Sequence, residues 1–183
     1  MMDRFREDVV VKKGRVLDEI MYYLSAVIMV LAALIAMFEI NIVLSSIGSG
    51  EFYALGLVVF LLNAAVAVLL FFFRDRLRTE YEYTFTNGTL DFAQVYNNKK
   101  RKSLGSLKVN NVDAFGKVSS GSFHRYISMQ GVKQSRWFLN RGADLYYFFF
   151  QKDGNKRIII FEPQPEMVEY IEAYLPFGAK QEN

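Results

Sequence analysis

Few residues in this chain could do chemistry, and they are scattered. His124 is the only histidine, and it stands in a Gly/Ser-containing stretch between Gly121 and Gly131. Cysteine is absent, and no second histidine or carboxylate pair lies near His124 in sequence, so a metal site would lack its usual ligand set. No G-x-S-x-G elbow, P-loop or G-x-G-x-x-G segment occurs. The sequence therefore assigns no catalytic, cofactor-binding or metal-ligating residue, and it predicts a non-enzymatic protein without a cofactor. Three polar features remain. Glu39 lies inside a long apolar run. An ion or proton site there would want an opposite charge in the neighbouring run, and there is none, so Glu39 is expected at headgroup level, where a carboxylate costs little. Asn63 sits in the middle of a second apolar run and is expected to hydrogen-bond to the first helix or to another copy of the chain. Lys99-Lys100-Arg101-Lys102 is the best functional candidate. Its bland reading is a solvated turn, and its sharper reading is contact with anionic lipid headgroups, worth about 1 kcal/mol per basic residue near the surface.

The elements that must position these residues are of two kinds. A helix rises about 1.5 Å per residue, so about 20 apolar residues cross the hydrocarbon core of a bilayer. Residues 20–44 and 52–73 meet that requirement, and residues 45–51 link them. The first run is too long for a signal-peptide core, and no small-x-small cleavage site precedes the link. Orientation follows from the flanks. Arg4, Arg6, Lys12, Lys13 and Arg15 precede the first run and Arg74, Arg76 and Arg78 follow the second, whereas the link has no Lys or Arg. The positive-inside rule then predicts a multi-pass inner-membrane protein with both termini cytoplasmic and the link outside. Residues 1–19 form a cytoplasmic N-terminal segment whose periodicity favours neither helix nor strand.

From residue 79 the pattern turns to strands. Tyr81, Tyr83 and Phe85 alternate with Glu82, Thr84 and Thr86, and Asn87-Gly88 signals a tight hairpin. Asn97-Asn98 begins a second turn. Leu104–Val109 and Val112–Val118 read as further elements, residues 119–135 as a loop with a short strand near Tyr126–Met129, and Trp137–Leu139 as a strand. Residues 145–151 and 157–162 form a hairpin around Asp153-Gly154-Asn155. The run Tyr146–Phe150 is aromatic on both faces, so it must be buried on both or meet a partner on one. From Pro165 to Leu175 the apolar stripe Met167, Val168, Ile171, Tyr174 and Leu175 predicts a helix, and residues 177–183 are a tail.

About seven antiparallel strands followed by one amphipathic helix is the order of a PH-like domain, an open barrel closed by a C-terminal helix, here over 79–176. The stretch from Tyr81 to Asp91, the basic run at 99–102 and the ending Ile158-Ile159-Ile160-Phe161-Glu162-Pro163 resemble bacterial PH-like domains. The whole arrangement resembles an uncharacterised family of small bacterial membrane proteins built as two transmembrane helices plus a C-terminal PH-like domain. The resemblance implies a fold but supplies no catalytic residues. In PH domains that recognise phosphoinositides the basic residues cluster at the first hairpin. Here that turn is Asn87-Gly88, which argues against lipid-specific recognition.

The net charge of +3 resides wholly in residues 79–183, which suits an anionic membrane surface and falls short of a nucleic-acid signature. The expected function is a membrane-anchored binding or scaffolding module that meets the bilayer and its anionic headgroups. The alternatives are an accessory subunit of a transport or envelope complex, held through the apolar runs by a homo-oligomeric or membrane-protein partner, and, more weakly, an enzyme or ion-conducting assembly.

Overall fold

The computed structural model describes residues 4–50 and 53–181. Residues 1–3 of the N-terminal segment, 51 of the link, 52 at the head of the second run and 182–183 of the tail lie outside the described residues. The chain divides into two compact units, Gly14–Arg78 and a second that joins residues before Gly14 to everything from Thr79 onward.

The first unit is a helical hairpin. Helix α1 spans Val16–Gly48 and α2 spans Ala54–Phe73, followed by a 3-10 turn at Arg74–Arg78. Helix α1 thus extends beyond residues 20–44 at both ends and takes in most of the expected link. At its C-terminal end the polar side chains bond back to preceding carbonyls of the same helix. Asn41 Nδ2 donates to the Met37 oxygen at 2.6 Å, Ser46 Oγ to Val43 at 2.8 Å and Ser49 Oγ to Ser46 at 2.9 Å. Gly50, with φ +84°, ends the run. Tyr22, Ser25, Ala32, Ala36 and Val43 form the buried seam of α1, with spacings of three, seven, four and seven that suit side-by-side helices. Only 17% and 6% of the most apolar stretches of the two helices are buried within the molecule, whereas the core helix of a soluble protein is mostly buried. Both helices are long and apolar enough to cross a membrane.

The second unit contains two four-stranded sheets. The first has the order β1 (Phe5–Val10), β2 (Thr79–Thr86), β3 (Thr89–Tyr96), β4 (Lys100–Lys108), all antiparallel. The second has the order β5 (Ala114–Lys117), β7 (Tyr146–Lys152), β8 (Asn155–Phe161), β6 (Lys133–Trp137), with β6 parallel to β8. A short helix α3 covers Gly121–Ile127, and α4 covers Pro165–Glu172. Asn87 and Gly88 take φ of +47° and +87°, as the tight β2–β3 turn requires. A Cβ at position 88 would also stand 2.6 Å from the Tyr174 ring.

Several expectations are corrected here. The described residues hold the seven strands expected over 79–176 and an eighth outside that range, and one pair is parallel rather than antiparallel. The eighth strand is β1, which pairs residue for residue with β2 from Phe5↔Thr86 to Val10↔Tyr81. Residues 4–13 of the N-terminal segment are thus part of the β unit, which does not begin at residue 79, while 14–19 belong to the helical unit. Local periodicity could not show this, because the partner strand lies beyond the helical hairpin. The stretch 119–135 holds α3, not a strand at 126–129. Ser120, with its backbone extended, starts that helix, while Phe123 and Tyr126 turn inward. The strand expected at 137–139 runs instead over Lys133–Trp137. The tail at 177–183 is not free, because Ala179 accepts a hydrogen bond from Phe115 N at 2.8 Å and Gln181 N donates back to Phe115 O at 2.8 Å.

The core explains the doubly aromatic strand. Phe148 and Phe150 join Tyr83, Phe85, Phe92, Phe115 and Phe161 between the sheets, where Met167 and Ile171 of α4 also pack. Tyr147 and Phe149 point the other way, into a second cluster with Phe123 and Tyr126 of α3. Strand β7 is therefore buried on both faces by its own chain.

Candidate anion-contact site

The four basic residues singled out from the sequence fall at one end of the first sheet. Asn97 and Asn98, with φ of +50° and +53°, make the turn, and Lys100, Arg101 and Lys102 open strand β4 rather than sitting in a loop. All four side chains from Lys99 to Lys102 are exposed. Arg101 lies 2.9 Å from Glu82 Oε2, an ion pair without an aligned hydrogen bond. That leaves Lys99, Lys100 and Lys102 without carboxylate partners among the described residues.

Register gives this end of the sheet its meaning. Thr79, the first residue after the helical unit, pairs with Tyr96, and Tyr96 pairs with Lys100. Val10, just before the chain enters the helical unit, pairs with Tyr81, which continues across the sheet through Gln94 to Lys102. Both connections to the helices therefore leave the sheet at the end that carries the basic run. At about 4.8 Å per strand, Lys102 lies roughly 14 Å across the sheet from Val10. The Asn87-Gly88 turn is at the opposite end.

A buried polar clamp fixes the first of those connections. The Asn140 backbone N donates to Glu162 Oε2 at 3.1 Å, and its Nδ2 donates to Glu162 Oε1 at 2.8 Å and to the Val11 carbonyl at 3.0 Å. Lys13 N donates to Asn140 Oδ1 at 2.7 Å. Beside the clamp, Asp8 accepts from Arg6 Nε at 2.9 Å and from Gln164 N at 2.9 Å, and Arg6 also pairs with Glu166. Asp8, Asn140 and Glu162 are all buried. Sequence reasoning missed this constellation. Its members come from three distant segments, and each residue type alone is unremarkable in a loop or at a strand end. An adjoining cleft of about 540 Å³ is lined by Lys13, Lys117, Asp144, Glu162 and Gln164 among others. Lys117 sits 3.5 Å from Asp144 there, and the Glu162 carboxyl is already taken by Asn140.

The remaining sequence candidates are dispersed. Asn63 Nδ2 donates to the Val59 carbonyl at 2.9 Å, so this bond stays within its own helix. Ser25 Oγ likewise returns to Tyr22 O at 2.7 Å. Glu39 is half-buried, and its Oε2 has no hydrogen-bond partner among the described residues. His124 is exposed on α3. Among the described residues no group of three or more His, Cys, Asp or Glu is placed to hold a metal ion.

The sequence profile of a family described as a bacterial PH-like domain (DUF6106) matches residues 2–180. The chain belongs to this family. The match takes in β1, the helical hairpin and the tail pairing on β5, so the membrane-type helices are part of the family's unit rather than an appendage to it. No curated protein and no solved structure matches the chain.

Proposed function

We propose that the protein is a membrane-anchored, non-enzymatic binding module of the inner membrane. In this reading the two sheets form an open barrel with α4 at one mouth, the helical hairpin anchors it, and Lys99, Lys100 and Lys102 meet anionic headgroups on the cytoplasmic leaflet. The observation that carries the reading is the register Thr79↔Tyr96↔Lys100. It sets the basic run level with the point where the chain passes into the helices, so contact needs little reach and little intrinsic affinity. Each basic residue near such a surface contributes about 1 kcal/mol, and the contact weakens as salt shortens the screening length.

The absence of native cysteine allows a direct test. Lys99→Cys carries an environment-sensitive fluorophore in full-length protein reconstituted into nanodiscs of neutral phosphatidylcholine, or of phosphatidylcholine with phosphatidylglycerol. The label is expected to shift to the blue in the anionic discs, and the shift is expected to vanish with Lys100→Gln and Lys102→Gln or in high salt. Identical spectra in neutral and anionic discs would remove the lipid contact.

A further inference from the structure

A second group of cations gathers at the other end of strand β8. Lys133 and the segment 151–157 bring Lys133, Lys152, Lys156 and Arg157 together there with one carboxylate, Asp153. The parallel pairing of β6 with β8 sets Lys133 directly opposite Arg157, and the β7–β8 ladder sets Phe150 on the other flank of Arg157. Opposed residues share a face, so two like charges stand side by side, an arrangement that costs stability unless an anion joins them. Arg157 is half-buried, and its Nε is buried with no hydrogen-bond partner among the described residues. By contrast, Arg6, Arg15, Arg78, Arg101, Lys117 and Lys180 each have a carboxylate partner.

The backbone beside this pair is open. Strand β6 is the last strand of its sheet, and among the described residues no backbone group outside that sheet bonds to residues 133–137. Arg157 is also five residues, roughly 17 Å of extended strand, from the Glu162–Asn140 clamp that holds the exit toward the helices. A headgroup at the exit end of the fold is thus poorly placed to reach it.

We propose that the free edge of β6 takes an extended acidic segment of a partner protein. The segment adds as a strand, and every second side chain, a carboxylate, falls on the face shared by Lys133 and Arg157. Backbone pairing gives the affinity, and the two cations select the acidic sequence.

The test uses full-length protein in nanodiscs of neutral phosphatidylcholine and a fluorescent peptide of alternating Glu and Val, read by anisotropy. The peptide is expected to bind, more weakly at higher salt, and to slow amide hydrogen exchange at Gln134–Arg136. Lys133→Gln with Arg157→Gln is expected to weaken binding at least tenfold, while Lys99→Gln with Lys100→Gln and Lys102→Gln leaves it within twofold. Lys133 is exposed, so Lys133→Gln alone serves if the double variant does not fold. No binding, equal binding of an alternating Lys and Val peptide, displacement by inorganic phosphate at millimolar concentration, or unchanged exchange in β6 would each overturn the proposal. Loss of the lipid contact through Lys99–Lys102 would not touch it.

Discussion

Val10 pairs with Tyr81 across the β1–β2 ladder, although residues 11–80 lie between them. The helical hairpin is therefore inserted between two neighbouring strands of one sheet. Closing so long a connection is cheaper than its length suggests, because the hairpin brings its own ends together. Within the helical unit Arg78, at the far end, pairs with Glu19 and lies 3.8 Å from the centre of the Tyr22 ring, near the start of α1. Loop-closure entropy in any case grows only slowly with length.

A soluble fragment that starts at Thr79 lacks β1, and with it the buried Val10 and the Asp8 carboxyl that receives Gln164 N. It is expected not to fold. Joining residues 4–13 to residues 79–181 through a short glycine-containing linker is expected to restore folding, because Val10 and Tyr81 already face each other. Amide NMR spectra decide the matter. Wide chemical-shift dispersion for the fragment from 79 onward would refute the dependence on β1.

The Asn140–Glu162 clamp supports a second prediction. Asn140→Ala removes two side-chain bonds from a buried carboxyl group and leaves Lys13 N and Val11 O without their partner. Bonds to such groups contribute about 1.5–3 kcal/mol each when broken singly, so a loss of about 3 kcal/mol is expected. Adding Glu162→Leu should recover part of it, because the orphaned carboxyl goes too. Thermal unfolding of the four members of this cycle measures the coupling. A double variant as unstable as the sum of the singles would mean that the two residues do not act together.

The fold was legible in the sequence wherever the pattern was local. Asn87-Gly88 and Asp153-Gly154 announce their turns through the need for positive φ, and both turns are found. The alternation of Tyr81, Tyr83 and Phe85 gives the inner face of β2, and the stripe Met167, Val168 and Ile171 gives the inner face of α4. Wherever a structure depends on distant partners, the pattern was silent. The Val9-Val10-Val11 stretch cannot declare itself a strand until β2 is beside it, and Lys133 and Arg157 become neighbours only through the parallel β6–β8 pairing. The basic run was visible as composition, but its position at the exit end of the sheet required the register of three ladders.

Tyr83 gives a pH dependence. Its ring is fully buried, its hydroxyl donates to the Trp137 carbonyl and accepts from Glu162 N at 3.3 Å, and burial pushes the phenol well above its ordinary value. The folded protein therefore keeps a proton that the unfolded chain loses above about pH 10. Unfolding releases that proton, so stability is intact below about pH 10 and falls by about 1.4 kcal/mol per pH unit above it, until the folded phenol ionises as well. Tyr83→Phe is expected to cost about 1 kcal/mol at neutral pH and to flatten the alkaline decline. The slope that remains belongs in part to Tyr81 and Tyr147, whose phenols burial also raises. Melting temperatures from about pH 8 to about pH 11, on either side of the ordinary phenol value, provide the comparison. Parallel curves for the two proteins would contradict the role given to Tyr83.

The topology can be tested with the same cysteine-free background. Moving one Lys or Arg across a bilayer is costly, and all eight basic residues flanking the apolar runs lie on the side of the termini, none in the link. Ser49→Cys is therefore expected to react with a membrane-impermeant maleimide on sealed right-side-out vesicles. Lys152→Cys, in the turn region of the β7–β8 hairpin, is expected to react only after the vesicles are opened. The two sites sit in different units and neither is buried, so a difference in labelling reports the side of the membrane and not local packing. The reverse pattern would put the β unit outside, where the basic run would face a different leaflet and the proposed contact with cytoplasmic headgroups would fall with it.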